Sequence, residues 1–197
     1  RRPLNDDSLN KSTVTPTRNL VINRHENKQL AVRKAFEHAW RGYEKYAYGH
    51  DELRPTTNAT NDSWGAMGAT MVDALDTMFI MGLSEEFDRA TDWVANKLPK
   101  CDTFDWEGSV FETTIRMVGG FLSAYDLSGE QVLLDRAKEM ADILGGAFDE
   151  GTGMFAKSVN LQNGHGSGLS SIVLSEVGTM QLEFRRLSQL TGIEKYD

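Results

Sequence analysis

The sequence has a single cysteine, Cys101, so it forms neither an internal disulfide nor a zinc site built from several cysteines. It has no uninterrupted apolar stretch of about 18 residues, which excludes a membrane-spanning helix within these residues. It has no excess of basic residues either, and its formal net charge of −8 argues against nucleic acid or an anionic membrane as a partner. The sequence begins with Arg1 rather than Met, which leaves a signal or membrane anchor to be expected upstream.

What is present is ordinary globular composition, with 197 residues of which 40% are hydrophobic and 25% charged. Residues 1–25 are mostly polar and predict a flexible arm or stem, so residues 26–197 are expected to form the folded part. Three N-glycosylation sequons begin at Asn10, Asn58 and Asn61, and they fit a lumenal or secreted chain. Asn58 and Asn61 crowd one loop, in which both could hardly be modified.

The most informative stretch is residues 106–129, WEGSVFETTIRMVGGFLSAYDLSG. Its apolar residues recur at spacings of three and four and cover most of a helix surface, so we expect a helix buried on most sides. Glu112 and Arg116 lie inside this helix, one turn apart. Gly119 and Gly120 continue the same track and predict open space beside the two charges.

Charged residues on a nearly apolar helix require either a partner or a function. Two such pairs occur, and each has two interpretations that stay open. Glu112 and Arg116 form either a plain helix ion pair or part of a functional centre. Asp73 and Asp76, one turn apart on the predicted helix 70–81, either cap backbone amides and pair with a basic group, or face a polar centre.

Three apolar helices, starting near residues 70, 111 and 171, each end in a turn of small residues. The first two turns lead into amphipathic helices, predicted over residues 84–98 and 130–148, and the third leads into what resembles the start of another. This alternation predicts an all-α fold of stacked helical hairpins, an α/α toroid with the buried helices inside. Because the last repeat stops after a few residues, we expect an incomplete toroid, cut at its C-terminal end.

Four blocks of sequence, in this order, resemble the class I α-1,2-mannosidases of glycoside hydrolase family 47. They are residues 35–43 (AFEHAWRGY) with 51–55 (DELRP), residues 72–83 (VDALDTMFIMGL), residues 110–129 (VFETTIRMVGGFLSAYDLSG) and residues 176–192 (EVGTMQLEFRRLSQLTG). The resemblance identifies residues 26–197 as the N-terminal part of the catalytic domain of that family.

The resemblance implies an (α/α)7 barrel that removes terminal α-1,2-linked mannose from high-mannose N-glycans with inversion. It implies that Glu112 is the general acid, and that Arg116 and Glu176 bind the substrate. It also implies a calcium ion, whose protein ligand, a threonine, would lie beyond Asp197, together with the family's other catalytic Asp and Glu. No metal ligand is therefore expected within this chain, and the isolated segment is expected to be inactive.

The same resemblance implies the partners, the location and the oligomeric state of the protein. Its partners would be high-mannose N-glycans on glycoproteins, its location the lumen of the endoplasmic reticulum or Golgi or the outside of the cell, and its state a monomer. Any membrane contact would come only from an N-terminal anchor upstream of this sequence. The alternative function is a glycan-binding, catalytically weak family member that recognises misfolded glycoproteins. Two departures from the family pattern, Phe155-Ala156 in place of Pro-Tyr and an altered Gly-rich stretch at 163–170, bear on the fit of the substrate.

Overall fold

The computed structural model describes the backbone of residues 16–168 and 173–197 and, within these ranges, the side chains from residue 25 onward. The helices of the described residues are α1 Pro16–Tyr46, α2 Ala69–Ile80, α3 Ser84–Asn96, α4 Val110–Thr113, α5 Gly119–Ser128, α6 Gln131–Leu144, α7 Leu174–Thr179 and α8 Gln181–Thr191. A π-helical turn, Thr114–Val118, joins α4 to α5. These three segments together make up the central helix.

Short antiparallel strands connect the helices. They are β1 Glu52–Arg54, β2 Ala59–Asn61, β3 Glu107–Ser109, β4 Phe148–Asp149, β5 Met154–Phe155, β6 Ser158–Asn160 and β7 Gly166–Ser167. In the described residues β1 pairs with β2, β4 with β5, and β6 lies between β3 and β7. The strands hold loops in place without forming a sheet large enough to carry a core.

Two compact units divide the chain, Arg1–Trp40 and Arg41–Asp197. In the described part of the first unit, Phe36 and Trp40 stack on α1 with their ring centroids 6.4 Å apart. Helix α1 begins earlier than the residue 26 expected from sequence, while residues 1–15 of the predicted arm, with the Asn10 sequon, lie outside the described residues. None of the helices described is both long and apolar enough to cross a membrane.

The second unit is built from helical hairpins. Helix α2 is apolar on most sides, whereas α3 buries only the face formed by Phe87, Ala90, Thr91 and Val94. This is the helical spacing of an element with one side in water. Gly82, with a φ of 68°, makes the turn between them in the left-handed region that glycine adopts without strain. The alternation of buried and half-exposed helices predicted from sequence is therefore confirmed for this pair.

The buried helices lie next to one another. Helix α5 contacts both α2 and α8, while α3 contacts α2 and α6, and α6 packs against α5. Phe121, Leu133 and Leu144 are among the fully buried side chains at these contacts. Burial of one such side chain stabilises a fold by about 1.5–3 kcal/mol. The apolar stripes read from the sequence thus form the core of this unit.

Helices α2 and α5 approach closely at Gly120. A Cβ atom there would lie 3.1 Å from Cγ1 and 3.2 Å from the carbonyl oxygen of Val72. A larger residue would therefore force the two helices apart. The open space predicted beside Gly120 is filled by the backbone of α2, because the missing side chain serves helix packing.

Asp51 organises the loop before α2. Its side chain is fully buried, and one oxygen, Oδ2, accepts hydrogen bonds from the backbone N–H groups of Trp64 and Ala66, both at 2.8 Å. The other oxygen accepts from Ala69 N at 3.1 Å. Because Gly68 at the N-cap of α2 has no side chain, Asp51 satisfies an amide of the first helical turn from a distance in sequence.

Two predicted elements differ from the structure. The single helix predicted over 171–190 is divided at Met180 into α7 and α8, and residues 171 and 172 lie outside the described residues. The segment that was expected to open another amphipathic helix is a single 3₁₀ turn, Glu194–Tyr196. Helix α7 has no buried residue, whereas α8 buries Phe184 and Leu187, so the apolar stripe predicted across this segment is buried only after the break. Apolar spacing alone does not report such a break.

Replacing Asp51 by Asn tests the role of this buried carboxylate. Asn is uncharged and has one acceptor oxygen instead of two, so all three backbone amides lose a charged acceptor and at least one of them loses its acceptor altogether. We expect the free energy of unfolding, measured by urea titration, to fall by about 2–4 kcal/mol.

The matched control is the exposed Asp88 on α3, for which Asp88→Asn should change the free energy of unfolding by less than about 0.5 kcal/mol. Equal stability of Asp51→Asn and the unchanged chain would contradict the assignment.

Candidate functional site

The central helix starts directly after strand β3. Ser109 ends the strand and caps the helix, because its hydroxyl accepts a hydrogen bond of 3.2 Å from the backbone N–H of Glu112. Strand β3 is itself held by β6, with Ser109 opposite Ser158. The small sheet therefore fixes where the helix begins, and with it the position of Glu112.

The middle of the central helix departs from α-helical geometry. Its π-helical turn carries Arg116, and the Thr114 hydroxyl donates to the carbonyl oxygen of Val110 at 2.8 Å. Threonine bonds to the preceding turn bend helices, and π turns occur often at functional sites. The sequence predicted a regular helix here, so this turn was missed.

Arg116 joins two carboxylates. Its Nε donates to Glu112 Oε2 and its Nη1 donates to Asp73 Oδ2, both at 2.9 Å. The hydrogen bond with Glu112 raises the pKa of the Arg116 guanidinium above its ordinary value. The side chains of Arg116 and Glu112 are 39% and 36% exposed, so a solute can reach the pair.

The ring of Trp64 covers the Arg116 guanidinium. The Arg116 Cζ atom lies 4.8 Å from the centroid of the Trp64 ring, within the range of a cation–π interaction. Trp64 in turn contacts Trp106, with ring centroids 5.7 Å apart. Gly108 lies under the Trp106 ring, where a Cβ atom would collide with it. Two aromatic side chains thus hold the orientation of Arg116.

The two aspartates of α2 bond to the central helix at two points. Asp73 pairs with Arg116, and Asp76 Oδ2 accepts from the Ser123 hydroxyl at 2.7 Å. Partial burial raises the pKa of the Asp73 carboxyl, and the charge of Arg116 opposes this rise without cancelling it. Both sequence interpretations hold in part, since Asp73 pairs with a basic group and that group belongs to a polar centre.

Glu112, Arg116 and Glu176 were the site residues expected from sequence, and the structure joins only the first two. Glu176 lies on α7, half-buried, and in the described part of the chain its side chain makes no hydrogen bond or ion pair with Glu112 or Arg116. Its assignment to the site remains a prediction.

Glu183 is a residue of this region that the sequence did not single out. It lies over Gly119, where a Cβ atom would be 3.4 Å from Glu183 Cγ, so it occupies the second position predicted to be open. Its Oε2 atom is buried without a hydrogen-bond partner in the described residues, and burial raises the pKa of its carboxyl. The sequence signal that could have identified Glu183 is its spacing of seven residues from Glu176, which places both residues near one stripe of the predicted helix.

These features agree with what the chain resembles. The model of glycosyl hydrolase family 47 matches residues 35–197. A mannosyl-oligosaccharide 1,2-alpha-mannosidase of Arabidopsis thaliana is 49% identical over 176 residues, which cover 87% of this chain and 31% of that protein. The endoplasmic reticulum mannosyl-oligosaccharide 1,2-alpha-mannosidase of Homo sapiens is 40% identical over 190 residues, 94% of this chain and 27% of that protein.

A solved structure is also similar. The alpha-1,2-mannosidase from Trichoderma reesei superposes with a TM-score of 0.79 at 33% sequence identity, over 86% of this chain and 38% of that one. The predicted fold, an incomplete portion of an (α/α)7 barrel, is confirmed by this likeness. The chain spans about a third or less of the length of the curated relatives given above.

Replacing Glu183 by Gln tests the burial of its carboxyl. The folded-state pKa lies above the ordinary value of 4.5, so the carboxyl contributes stability below that pH and loses it as the pH rises through the raised pKa. Gln does not ionise, so Glu183→Gln should unfold at higher urea concentration than the unchanged chain at neutral pH. The difference should shrink as the pH falls towards 4.5.

The control is Glu150→Gln, at an exposed position in the turn after β4. It should follow the unchanged chain at each pH. A lower stability of Glu183→Gln at neutral pH would mean that the charged form is favoured in the fold, and would contradict the assignment.

Proposed function

This chain belongs to glycosyl hydrolase family 47, and from that premise we propose that the whole protein is a mannosyl-oligosaccharide 1,2-α-mannosidase. It hydrolyses terminal α-1,2-linked mannose from high-mannose N-glycans, with inversion at the anomeric carbon. The observation that carries the proposal is the family match over residues 35–197, which includes the Glu112–Arg116–Asp73 cluster. The names of the relatives, which are mannosidases, support it.

Glu112 is the proposed general acid. An inverting glycosidase needs one carboxyl group to give a proton to the departing oxygen of the glycosidic bond. The hydrogen bond from Arg116 holds Oε2 of Glu112, and no hydrogen bond within the described residues uses Oε1. The partial exposure of the side chain gives a sugar access to that second oxygen.

Arg116 is proposed to position the acid and to contact the sugar. Its Nε and Nη1 atoms are held by Glu112 and Asp73, which fix the plane of the guanidinium. The remaining N–H groups of that plane are donors suited to sugar hydroxyl oxygens. Asp73 is then a positioning residue, because it acts through Arg116. Glu176 stays in the proposal as a further substrate-binding residue.

The other half of the mechanism involves residues outside this chain. A second carboxylate, typically about 6.5–9.5 Å from the acid, must activate water on the opposite face of the sugar. We expect the remaining catalytic Asp and Glu beyond Asp197, as the family resemblance implies, so the isolated chain is expected to be inactive. Of the two carboxyl groups that the mechanism needs, this chain supplies only the proposed general acid, Glu112.

Calcium is part of the proposal for the whole protein. In the described residues no three His, Cys, Asp or Glu side chains are grouped so that they could hold a metal, so these residues do not fit the ion by themselves. When bound, calcium coordinates hydroxyl oxygens of a sugar together with protein and water oxygens. The protein ligand of the ion is expected beyond Asp197.

The proposed location is the lumen of the secretory pathway, because high-mannose N-glycans are the proposed substrate. The curated relatives of Homo sapiens and Rattus norvegicus are named as endoplasmic reticulum enzymes, which supports this location. The proposal includes the Golgi and secretion as further places where a glycan-trimming enzyme meets its substrate.

The test is Glu112→Gln in the whole protein. Loss of the proton donor should lower the release of mannose from an α-1,2-linked mannose disaccharide by about 10²–10⁴-fold. In α-mannosyl fluoride the leaving group is fluoride, which departs without a proton, so the hydrolysis of this substrate should fall far less. Released mannose and fluoride are the two quantities measured, and Glu150→Gln is the control.

Unchanged disaccharide turnover by Glu112→Gln would contradict the role of the acid, and equal losses on both substrates would mean that the residue serves only structure. Glycan binding without mannose release by the unchanged whole protein would instead favour the catalytically weak family member.

Chelation tests the calcium requirement separately. Removal of calcium from the whole protein should abolish mannose release, and addition of calcium but not of magnesium should restore it, because calcium accepts more oxygen ligands at longer distances. Full activity after chelation would remove calcium from the proposal and leave the role of Glu112 in place.

A further inference from the structure

The hairpin of β1 and β2 carries two adjacent sequons that the proposed catalysis does not use. The first is Asn58-Ala59-Thr60 and the second is Asn61-Asp62-Ser63. In the hairpin Glu52 lies opposite Asn61 and Arg54 lies opposite Ala59, so the two acceptor asparagines have different surroundings. The sequon pattern fits both asparagines, whereas the structure separates them.

The side chain of Asn61 is fully engaged. Its Nδ2 donates to Glu52 Oε2 at 2.6 Å and to Ser63 Oγ at 3.1 Å, which uses both of its hydrogens. Its Oδ1 accepts from Arg54 at 3.2 Å. The hydroxyl of Ser63, which completes the second sequon, donates to Glu52 as well. The amide and the hydroxyl of this sequon are therefore both part of the fold.

Asn58 lies at the tip of the hairpin, and the surroundings of its side chain differ from those of Asn61. It is exposed, and in the described residues its side chain forms no hydrogen bond or ion pair. Its φ of 56° is in the left-handed region, which asparagine tolerates better than other residues with a Cβ atom. Thr60, the hydroxyl residue of this sequon, is exposed too. A bulky group on Asn58 thus displaces no described contact.

We propose that the folded protein carries an N-linked glycan on Asn58 and none on Asn61. The donor is an oligosaccharide linked through pyrophosphate to a lipid. A bond forms between Asn58 Nδ2 and the anomeric carbon, while the bond from that carbon to the pyrophosphate oxygen breaks. Nδ2 loses one proton, and the lipid pyrophosphate leaves. The proposal rests on the lumenal location in the proposed function, where such a donor acts.

The fold disfavours a glycan on Asn61 because both hydrogens of its side-chain amide donate hydrogen bonds. Glycosylation replaces one of the two Nδ2 hydrogens, so a modified Asn61 could not donate to both Glu52 and Ser63. A buried or half-buried partner left without its hydrogen bond destabilises the fold. A chain modified on Asn61 before folding therefore reaches a less stable hairpin, and the crowding of two glycans three residues apart disfavours modification of both.

The experiment uses the whole protein, made in a eukaryotic cell with no added targeting signal and carrying a fused tag with a sequon of established occupancy. The glycans are removed by an amidase in heavy-oxygen water, which turns each modified Asn into a labelled Asp. Fragment mass spectra then locate the label. We expect the label on Asn58 and not on Asn61.

Two matched variants separate the sites. Asn58→Gln should lose one glycan, with no label appearing on Asn61, whereas Asn61→Gln should keep the Asn58 label unchanged. A label on Asn61, in the unchanged protein or in Asn58→Gln, would overturn the selection by the fold.

The modification of the tag separates failure of this proposal from failure of the proposed lumenal location. A modified tag with an unmodified Asn58 would overturn this proposal alone. An unmodified tag would overturn the lumenal location, and this proposal with it, while mannose release by the same sample reports separately on the proposed activity.

Discussion

The buried carboxylate of Asp51 is the interaction on which the rest of the site depends. It gathers the backbone amides of the 64–69 loop and satisfies the start of helix α2. One of those amides belongs to Trp64, whose ring covers Arg116. A loop carboxylate that never meets the proposed substrate thus sets the position of the aromatic residue above the guanidinium, and α2 begins where Asp73 can bond to the same group.

The charged cluster combines two demands that ordinarily conflict. A helix buried on most sides excludes water, whereas a guanidinium and two carboxylates need polar partners. The structure meets both, because the partners of Arg116 are the carboxylates themselves and the face of an aromatic ring. Each group remains partly exposed on one side, so the cluster is held in place by the core and still open to a solute.

The sequence predicted the fold well, because apolar spacing reports which face of a helix is buried. It predicted α2, α3, α6 and the pairing of Glu112 with Arg116 for that reason. It missed the π-helical turn, the break at Met180 and the bond of Asp73 to Arg116. These depend on hydrogen bonds between residues far apart in sequence, or on local backbone geometry, and neither changes the apolar pattern. It also read Gly119 and Gly120 as open space, although a side chain and a helix backbone fill it.

The π-helical turn constrains the number of residues in the central helix. Such a turn is an α-helix with one residue added, so Thr114–Val118 holds a residue that a regular helix would not need. Each residue of an α-helix turns the chain by about 100°. Loss of one residue from this segment would swing Ser109 and Glu112 away from Gly119 and Ser123, and Arg116 could no longer meet the same neighbours. The length of the central helix between the cap and Gly129 is therefore constrained as tightly as the residues that it carries.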